Sequence, residues 1–326
     1  MMKAVWYEGF GPASEVLQYG DLPDPEPAQG EVLIRLHATG VNPSDVKLRA
    51  GARPGAVMQY PRVVPHSDGA GVIEAVGRGV DPARVGQRVW TWNAGWQRDF
   101  GTAAEYVALP SHQAVPLPEG TSFAEGACLG IPAMTAWYAL FRDGPIEGKT
   151  VLVTGGAGTV GRYACQMAAL GGARVITTVS SPEKAAHSGT ADWINYRKSD
   201  VASVVQDLTG GEGVDRIVEV DFAANQDTSL AVLKPGGTIA AYASASRMAP
   251  ELAFYPLMFM NITLQMFVVY RVAPETHARG EAQLDGWLRD GKLSHAVVPC
   301  GKLSDAAAAH EKVEAGQKLG TVVLEI

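Results

Sequence analysis

The chain has 326 residues, 47% of them hydrophobic and 19% charged, which is room for two domains of ~150 residues and for a sizeable core. Its 27 Lys and Arg stand against 34 Asp and Glu for a net charge of −7, which argues against a dedicated nucleic-acid surface. Three cysteines, Cys128, Cys165 and Cys300, form no CxxC pair and support neither a disulfide framework nor a cysteine-rich zinc site. The first residues lack the apolar run and cleavage site of a signal peptide. The most apolar stretch, 252–270, is interrupted by Pro256, Asn261, Thr263 and Gln265, unlike a spanning helix of ~20 uniformly apolar residues. A cytoplasmic location with no membrane contact is expected.

The first third is punctuated by Pro23, Pro25, Pro27, Pro43, Pro54, Pro61 and Pro65, which separate apolar runs such as 31–37 and 71–76. Short runs between turn residues predict the strands of a compact β domain. Residues 121–140 change to helix-like spacing broken by Pro132. From Thr150 the texture alternates, with strands at 151–153, 174–179, 193–195, 214–220 and 237–242. Helices fall between them: one through Leu170, one opened by Pro182, and two at 200–208 and 225–233. Such alternation predicts βαβ units and a parallel sheet with helices on both faces. An apolar strand at 262–270, helices at 274–290 and 303–315, and a last strand at 321–326 follow. No internal repeat is present.

The sharpest motif is the glycine turn Thr154-Gly155-Gly156-Ala157-Gly158-Thr159-Val160-Gly161. Gly156, Gly158 and Gly161 satisfy GxGxxG between an apolar strand and a helix. There the first glycine turns the chain, the second admits a pyrophosphate, and the third lets the helix pack close to the sheet. The helix start offers unpaired N–H groups to the anion. The next strand ends in Ser180-Ser181-Pro182-Glu183-Lys184. An NAD site carries an acidic residue there for the ribose 2′-hydroxyl. Small hydroxyls and a lysine suit a 2′-phosphate instead, so NADPH is the expected cofactor, with Glu183 read as a helix cap.

With their flanks, these residues resemble the zeta-crystallin or quinone oxidoreductase branch of the medium-chain dehydrogenase/reductase superfamily. The resemblance spans the chain. It rests on His37-Ala38-Thr39-Gly40-Val41-Asn42-Pro43, Ser67-Asp68-Gly69-Ala70-Gly71, Gly130-Ile131-Pro132-Ala133-Met134-Thr135-Ala136, the glycine turn and Leu233-Lys234-Pro235-Gly236-Gly237. It implies an α/β chain of two domains. Residues 1–122 with 271–326 make a GroES-like substrate domain, and 123–270 make a Rossmann domain with a doubly wound parallel sheet that binds NADPH. At the positions matching the zinc ligands of related alcohol dehydrogenases stand Asn42, Ser67 and Ile131, and the four-cysteine structural-zinc lobe is missing. None of the three is a thiolate or imidazole, so no metal is expected. Zinc-independent hydride transfer needs an acceptor that is already electrophilic, such as a quinone or a related conjugated carbonyl.

Asn42, Lys47 and Thr135 are the expected catalytic residues; the resemblance places Asn42 and Thr135 near the nicotinamide, while Lys47 departs from it. The glycine turn (Gly156, Ala157, Gly158, Thr159, Val160, Gly161) takes the pyrophosphate. Ser180, Ser181, Lys184 and Tyr196 surround the 2′-phosphate and adenosine, and Ser244 sits on the loop closing over the cofactor's middle. Lys47 stands where relatives often carry tyrosine; it either hydrogen-bonds an acceptor carbonyl or points to solvent. His66, where relatives commonly show glycine, reads mainly as structural or cleft wall, with proton donation as the alternative. Trp90, Trp92 and Trp96 either form an aromatic slot or pack the β domain. Met258, Met260 and Met266 either make a pocket wall or belong to a strand core or dimer seam. An uncovered edge strand invites pairing, and the resemblance implies a homodimer through strand 262–270.

The leading expectation is therefore an NADPH-dependent quinone reductase. An enone or enoyl-thioester reductase is the enzymatic alternative, with Lys47 or His66 as proton donor. A non-catalytic crystallin-like or RNA-binding protein is the alternative of another class, for which Arg49 and Arg53 are the local basic patch.

Overall fold

The computed structural model describes every residue except Arg53, Pro54 and Gln317, so Arg53 of the basic patch lies outside the described residues. Contacts divide the chain into two compact units, Met1–Ile131 with Glu281–Ile326, and Pro132–Gly280.

The first unit opens with β1 (Met2–Trp6), α1 (Ala13–Val16) and β2 (Gln18–Leu22), then β3 (Glu31–Val41), α2 (Pro43–Arg49) and β4 (Asp68–Val76). β5 (Arg88–Thr91), β6 (Tyr106–Pro110), β7 (Ala114–Pro116) and α3 (Phe123–Gly126) complete its N-terminal part. Alternation makes β3 a strand: Val32, Ile34 and Leu36 are buried while Arg35 faces outward, the period-two pattern of a sheet with one face on the core. Residues 123–131 belong with this unit for physical reasons. Phe123 stacks on the His37 ring with centroids 4.4 Å apart, and the Ile131 N–H donates to Asp68 at 3.0 Å.

The second unit runs α4 (Met134–Phe141), β8 (Thr150–Val153), α5 (Thr159–Leu170), β9 (Arg174–Val179), α6 (Pro182–Ser188), β10 (Asp192–Asn195) and α7 (Val201–Thr209). It continues with β11 (Val214–Glu219), α8 (Phe222–Val232), β12 (Leu233–Ala241), α9 (Phe254–Phe259) and β13 (Thr263–Met266). Its six strands are all parallel, in the order β10-β9-β8-β11-β12-β13. Renumbered from β8 this is 3-2-1-4-5-6, the order of a doubly wound dinucleotide-binding sheet. Leu152, Ile176, Ile217, Phe222 and Ile239 form its buried core. The helix ends follow local chemistry. Pro182 occupies the first turn of α6 behind the Ser181 cap, and Gly189 ends it at φ +71°.

Helix α10 (Pro274–Arg289) leads back to the first unit, where β14 (Val297–Lys302), α11 (Ala306–Glu314) and β15 (Thr321–Glu325) follow. The main sheet there has the order β14-β15-β3-β4-β5-β7, with β6 also paired to β3. One predicted element is corrected. The strand expected over 262–270 stops at Met266, and Val269–Arg271 forms a 3-10 turn. Its partner β12 ends at Ala241, and the Phe267 N–H takes the Ala241 carbonyl at 3.1 Å. The ladder therefore ends where β12 ends. Among the described residues no helix is long and apolar enough to cross a membrane.

Candidate active site

The glycine turn leaves β8 at Thr154. Gly155 has φ +67°, a left-handed conformation that suits glycine, and its N–H donates to Thr178 Oγ1 at 3.1 Å. A side chain at Gly156 would collide with Thr177 Oγ1, and one at Gly161 would collide with the Gly155 carbonyl. The turn therefore accepts only glycine at both places, and α5 starts at Thr159 with no side-chain cap on its Gly158 N-cap. Ala157 packs with Val179 and Ala185, which ties the turn to the end of β9. There the half-buried Ser180, Ser181 and Lys184 gather, and the Tyr196 N–H donates to the Val179 carbonyl at 3.1 Å. Ser181 also caps α6 through the Lys184 N–H. Arg197 lies 6.0 Å from the centroid of the exposed Tyr196 ring.

Past the C-terminal ends of β11, β12 and β13 opens a cavity of about 580 Å³, where ligands of such sheets bind. Tyr138, Phe222, Tyr242 and Phe267 supply its aromatic walls, with Ser244, Met248, Met266 and Arg271 also lining it. Tyr138 and Phe267 stand 4.8 Å apart. The Ser244 hydroxyl donates to the Arg247 carbonyl at 2.7 Å and accepts from the Ala223 N–H at 3.2 Å, so it ties its loop to the start of α8. Thr135 is buried on α4, one turn before Tyr138. At the end of β11 the buried Glu219 accepts from Thr154 Oγ1, the Asp221 N–H and Asn225 Nδ2, and burial pushes its carboxyl up. Sequence reasoning missed Tyr138, Phe222, Tyr242, Phe267, Arg271 and Glu219. Their signal was position, at or just beyond strand ends and one helical turn from Thr135, rather than any motif.

In the first unit Asn42 caps α2 and is buried. Its backbone N–H donates to Asp45 Oδ2 at 2.8 Å and its Nδ2 to Asp68 Oδ2 at 2.9 Å. Burial pushes Asp45 up to about 7 and Asp68 well above the usual carboxylate range, Asp45 adding repulsion to the latter. Lys47 lies on the exposed face of α2, while Asp45, Val46 and Arg49 face inward. Arg49 is spent inside the unit on the Gly11 carbonyl and Glu314.

His66 is interior, at φ +75°. Its Nε2 lies 2.8 Å from His310 Nε2 and its Nδ1 3.0 Å from Thr39 Oγ1. His310 Nδ1 is buried with no partner, beside the Arg49 guanidinium, where a bare lone pair is less costly than an N–H. The pair then runs from His310 Nε2–H to His66 Nε2, and from His66 Nδ1–H to Thr39. Burial pushes both imidazoles down. Trp90 and Trp92 are buried in the unit and Trp96 is half-buried, so the first two pack the β core. Among the described residues, no three His, Cys, Asp or Glu side chains group to hold a metal ion.

Residues 28–119 match the alcohol dehydrogenase GroES-like domain, and 159–283 match the zinc-binding dehydrogenase domain. A quinone oxidoreductase of Homo sapiens is 30% identical over 96% of this chain and 94% of its own length. The chain belongs to the quinone oxidoreductase family of medium-chain dehydrogenases/reductases. Within that family, a Pseudomonas syringae quinone oxidoreductase structure superposes with TM-score 0.88 at 30% identity, covering all of both chains. A mycobacterial protein complexed with NADPH gives TM-score 0.87 at 32% identity, again over both whole chains. The two-unit architecture is thus the family's GroES-like domain and Rossmann domain.

Proposed function

We propose that this protein is an oxidoreductase that passes reducing equivalents from NADPH to quinones or related conjugated carbonyl acceptors. The observation that carries the reading is the full-length likeness to quinone oxidoreductases, together with the likeness to a protein complexed with NADPH. The chain's own residues fit that cofactor: the glycine turn closes around Gly156 and Gly161 with no space for a side chain at either, and helix α5 begins directly after it, the place where a pyrophosphate is received in such folds. Ser180, Ser181 and Lys184 would take the 2′-phosphate and Tyr196 the adenosine, because hydroxyls and an ammonium favour the dianion over a diol. Asn42, Thr135 and Ser244 would border the nicotinamide half.

When bound, NADPH supplies a hydride. The aromatic walls of the cavity hold a flat acceptor by stacking and keep water from the reacting atoms. A quinone needs no Lewis acid to accept a hydride, which suits positions 42, 67 and 131, occupied by an amide, a hydroxyl and an aliphatic chain. Lys47 is the exposed cation we assign to the acceptor carbonyl. His66 donates inside the fold and has no part in proton delivery.

We further propose a cytoplasmic homodimer. The edge strand β13 and the exposed Phe254, Tyr255, Phe259, Met266 and Val268 beside it support pairing with a second copy, since such edges and apolar patches are otherwise liabilities. The three free cysteines suit a reducing compartment.

The test follows loss of reduced-nicotinamide absorbance with NADPH and NADH in parallel, against an ortho-quinone and a simple enone. Quinone-dependent oxidation of NADPH, with NADH much weaker, is the expected result. Turnover of the enone alone would move the assignment to double-bond reduction, and NADPH that fails to bind would end the enzymatic reading.

A further inference from the structure

In zinc-dependent relatives one cation holds three side chains together by their lone pairs. Two of the corresponding positions here converge on one buried carboxyl group instead, and the third precedes it in the chain. The Asp68 carboxylate, fully buried, accepts from Asn42 Nδ2 at 2.9 Å and from the Ile131 N–H at 3.0 Å to each of its oxygens. Ser67 precedes it at the start of β4. A side chain at Gly130 would collide with Asp68 Oδ1, so the turn closes on the carboxylate only because glycine stands there. The donors are amides, one of a side chain and one of the backbone.

We propose that Asp68 is a positioning residue for the reaction, gathering with its two acceptor oxygens what the metal gathers in those relatives. It ties the end of β3, the start of β4 and the Ile131 backbone to one point, and it holds the Asn42 amide with its nitrogen turned inward. The inference rests on the functional reading above, in which Asn42 borders the nicotinamide. A carboxyl group is suited to this because both of its oxygens can accept N–H groups at once. An asparagine in its place offers one acceptor oxygen and confronts the remaining donor with an NH₂.

The experiment compares the full-length wild type with Asp68→Asn, Asn42→Ala and the double variant, measuring kcat, KM for NADPH and thermal midpoint for each. Asp68→Asn should lower kcat/KM about tenfold, the scale of one lost buried hydrogen bond, with a similar loss in Asn42→Ala. The double variant should then be within about twofold of the worse single one, because both remove one interaction. Wild-type kinetics in Asp68→Asn, or losses that multiply, would overturn the proposal. So would a lowered thermal midpoint with unchanged kcat/KM, which marks a purely structural role.

A second readout is independent of turnover and of the variants' folding. In ¹H–¹⁵N spectra of wild-type protein, the Asn42 side-chain amide should show one strongly shifted, slowly exchanging proton. Its resonance is assigned by selective Asn labelling and through-bond connection to the Asn42 backbone. An amide with solvated shifts and fast exchange sinks the proposal. Absence of NADPH turnover with the held amide present counts against the functional reading alone.

Discussion

At residue scale the cofactor site is decided by what is left out. Gly156 and Gly161 leave no volume for a Cβ, since the space is already taken by Thr177 Oγ1 and the Gly155 carbonyl. Gly156→Ala should cost about 1–3 kcal/mol of stability through overpacking and weaken NADPH binding, read as a lower thermal midpoint and a higher dissociation constant. Lys184 is the corresponding test of charge. Lys184→Ala should raise KM for NADPH about tenfold or more, the worth of a charge-assisted phosphate bond, and leave KM for NADH nearly unchanged. Equal effects on both nucleotides would remove Lys184 from the 2′-phosphate. The glycines were legible in sequence because their spacing is itself the chemistry. Asp68 was not, because a single aspartate beside a glycine-rich strand carries no pattern until Asn42 and Ile131 are folded against it.

At the scale of elements, α11 is tied to β3 and the segment before β4 by buried titratable groups. His66 and His310 have pKa values below the ordinary imidazole value, so the fold prefers them neutral. Their contribution is complete above pH ~6.5 and is lost as pH falls toward their folded values, because the unfolded chain then binds more protons. The thermal midpoint should therefore drop from pH 6.5 to 4.5, and a His66→Gln/His310→Gln variant should show a shallower slope over that range. Asp45 works in the opposite direction. Its folded value of about 7 lies above the unfolded value, so its protonated form stabilises α2 at low pH and that support fades as pH rises from about 4 to 7. Asp45→Asn keeps an acceptor for the Asn42 N–H and removes the buried charge. Its midpoint relative to wild type should be higher at pH 8 than at pH 5, and a pH-independent difference would contradict the burial argument.

For the whole molecule, assembly turns on β13. Among the described residues the strand has a partner on one side only, and Met266, at 60% exposure, lies on it. Met266→Arg should convert a species with the mass of two chains into one with the mass of a single chain, as read by light scattering. A wild-type protein that is already monomeric would refute the dimer. Met258 is also exposed, so neither methionine serves as strand core, and Met266 lines the cavity as well as standing on the edge strand.

The sequence by itself determined the alternation of strands and helices from Thr150, the glycine turn and the hydroxyl-rich strand end after it. Each of these is a local matter: period, turn conformation and steric room are settled by neighbours in the chain. It also carried the zinc question to the three positions Asn42, Ser67 and Ile131. Only tertiary structure decided what occupies the space between them, which side of α2 faces inward, and that His66 reaches His310. The same holds for the end of β13, which stops where β12 stops even though the apolar run continues. Those outcomes depend on residues distant in sequence meeting at one point, and their energies come from burial and pairing that no local window contains.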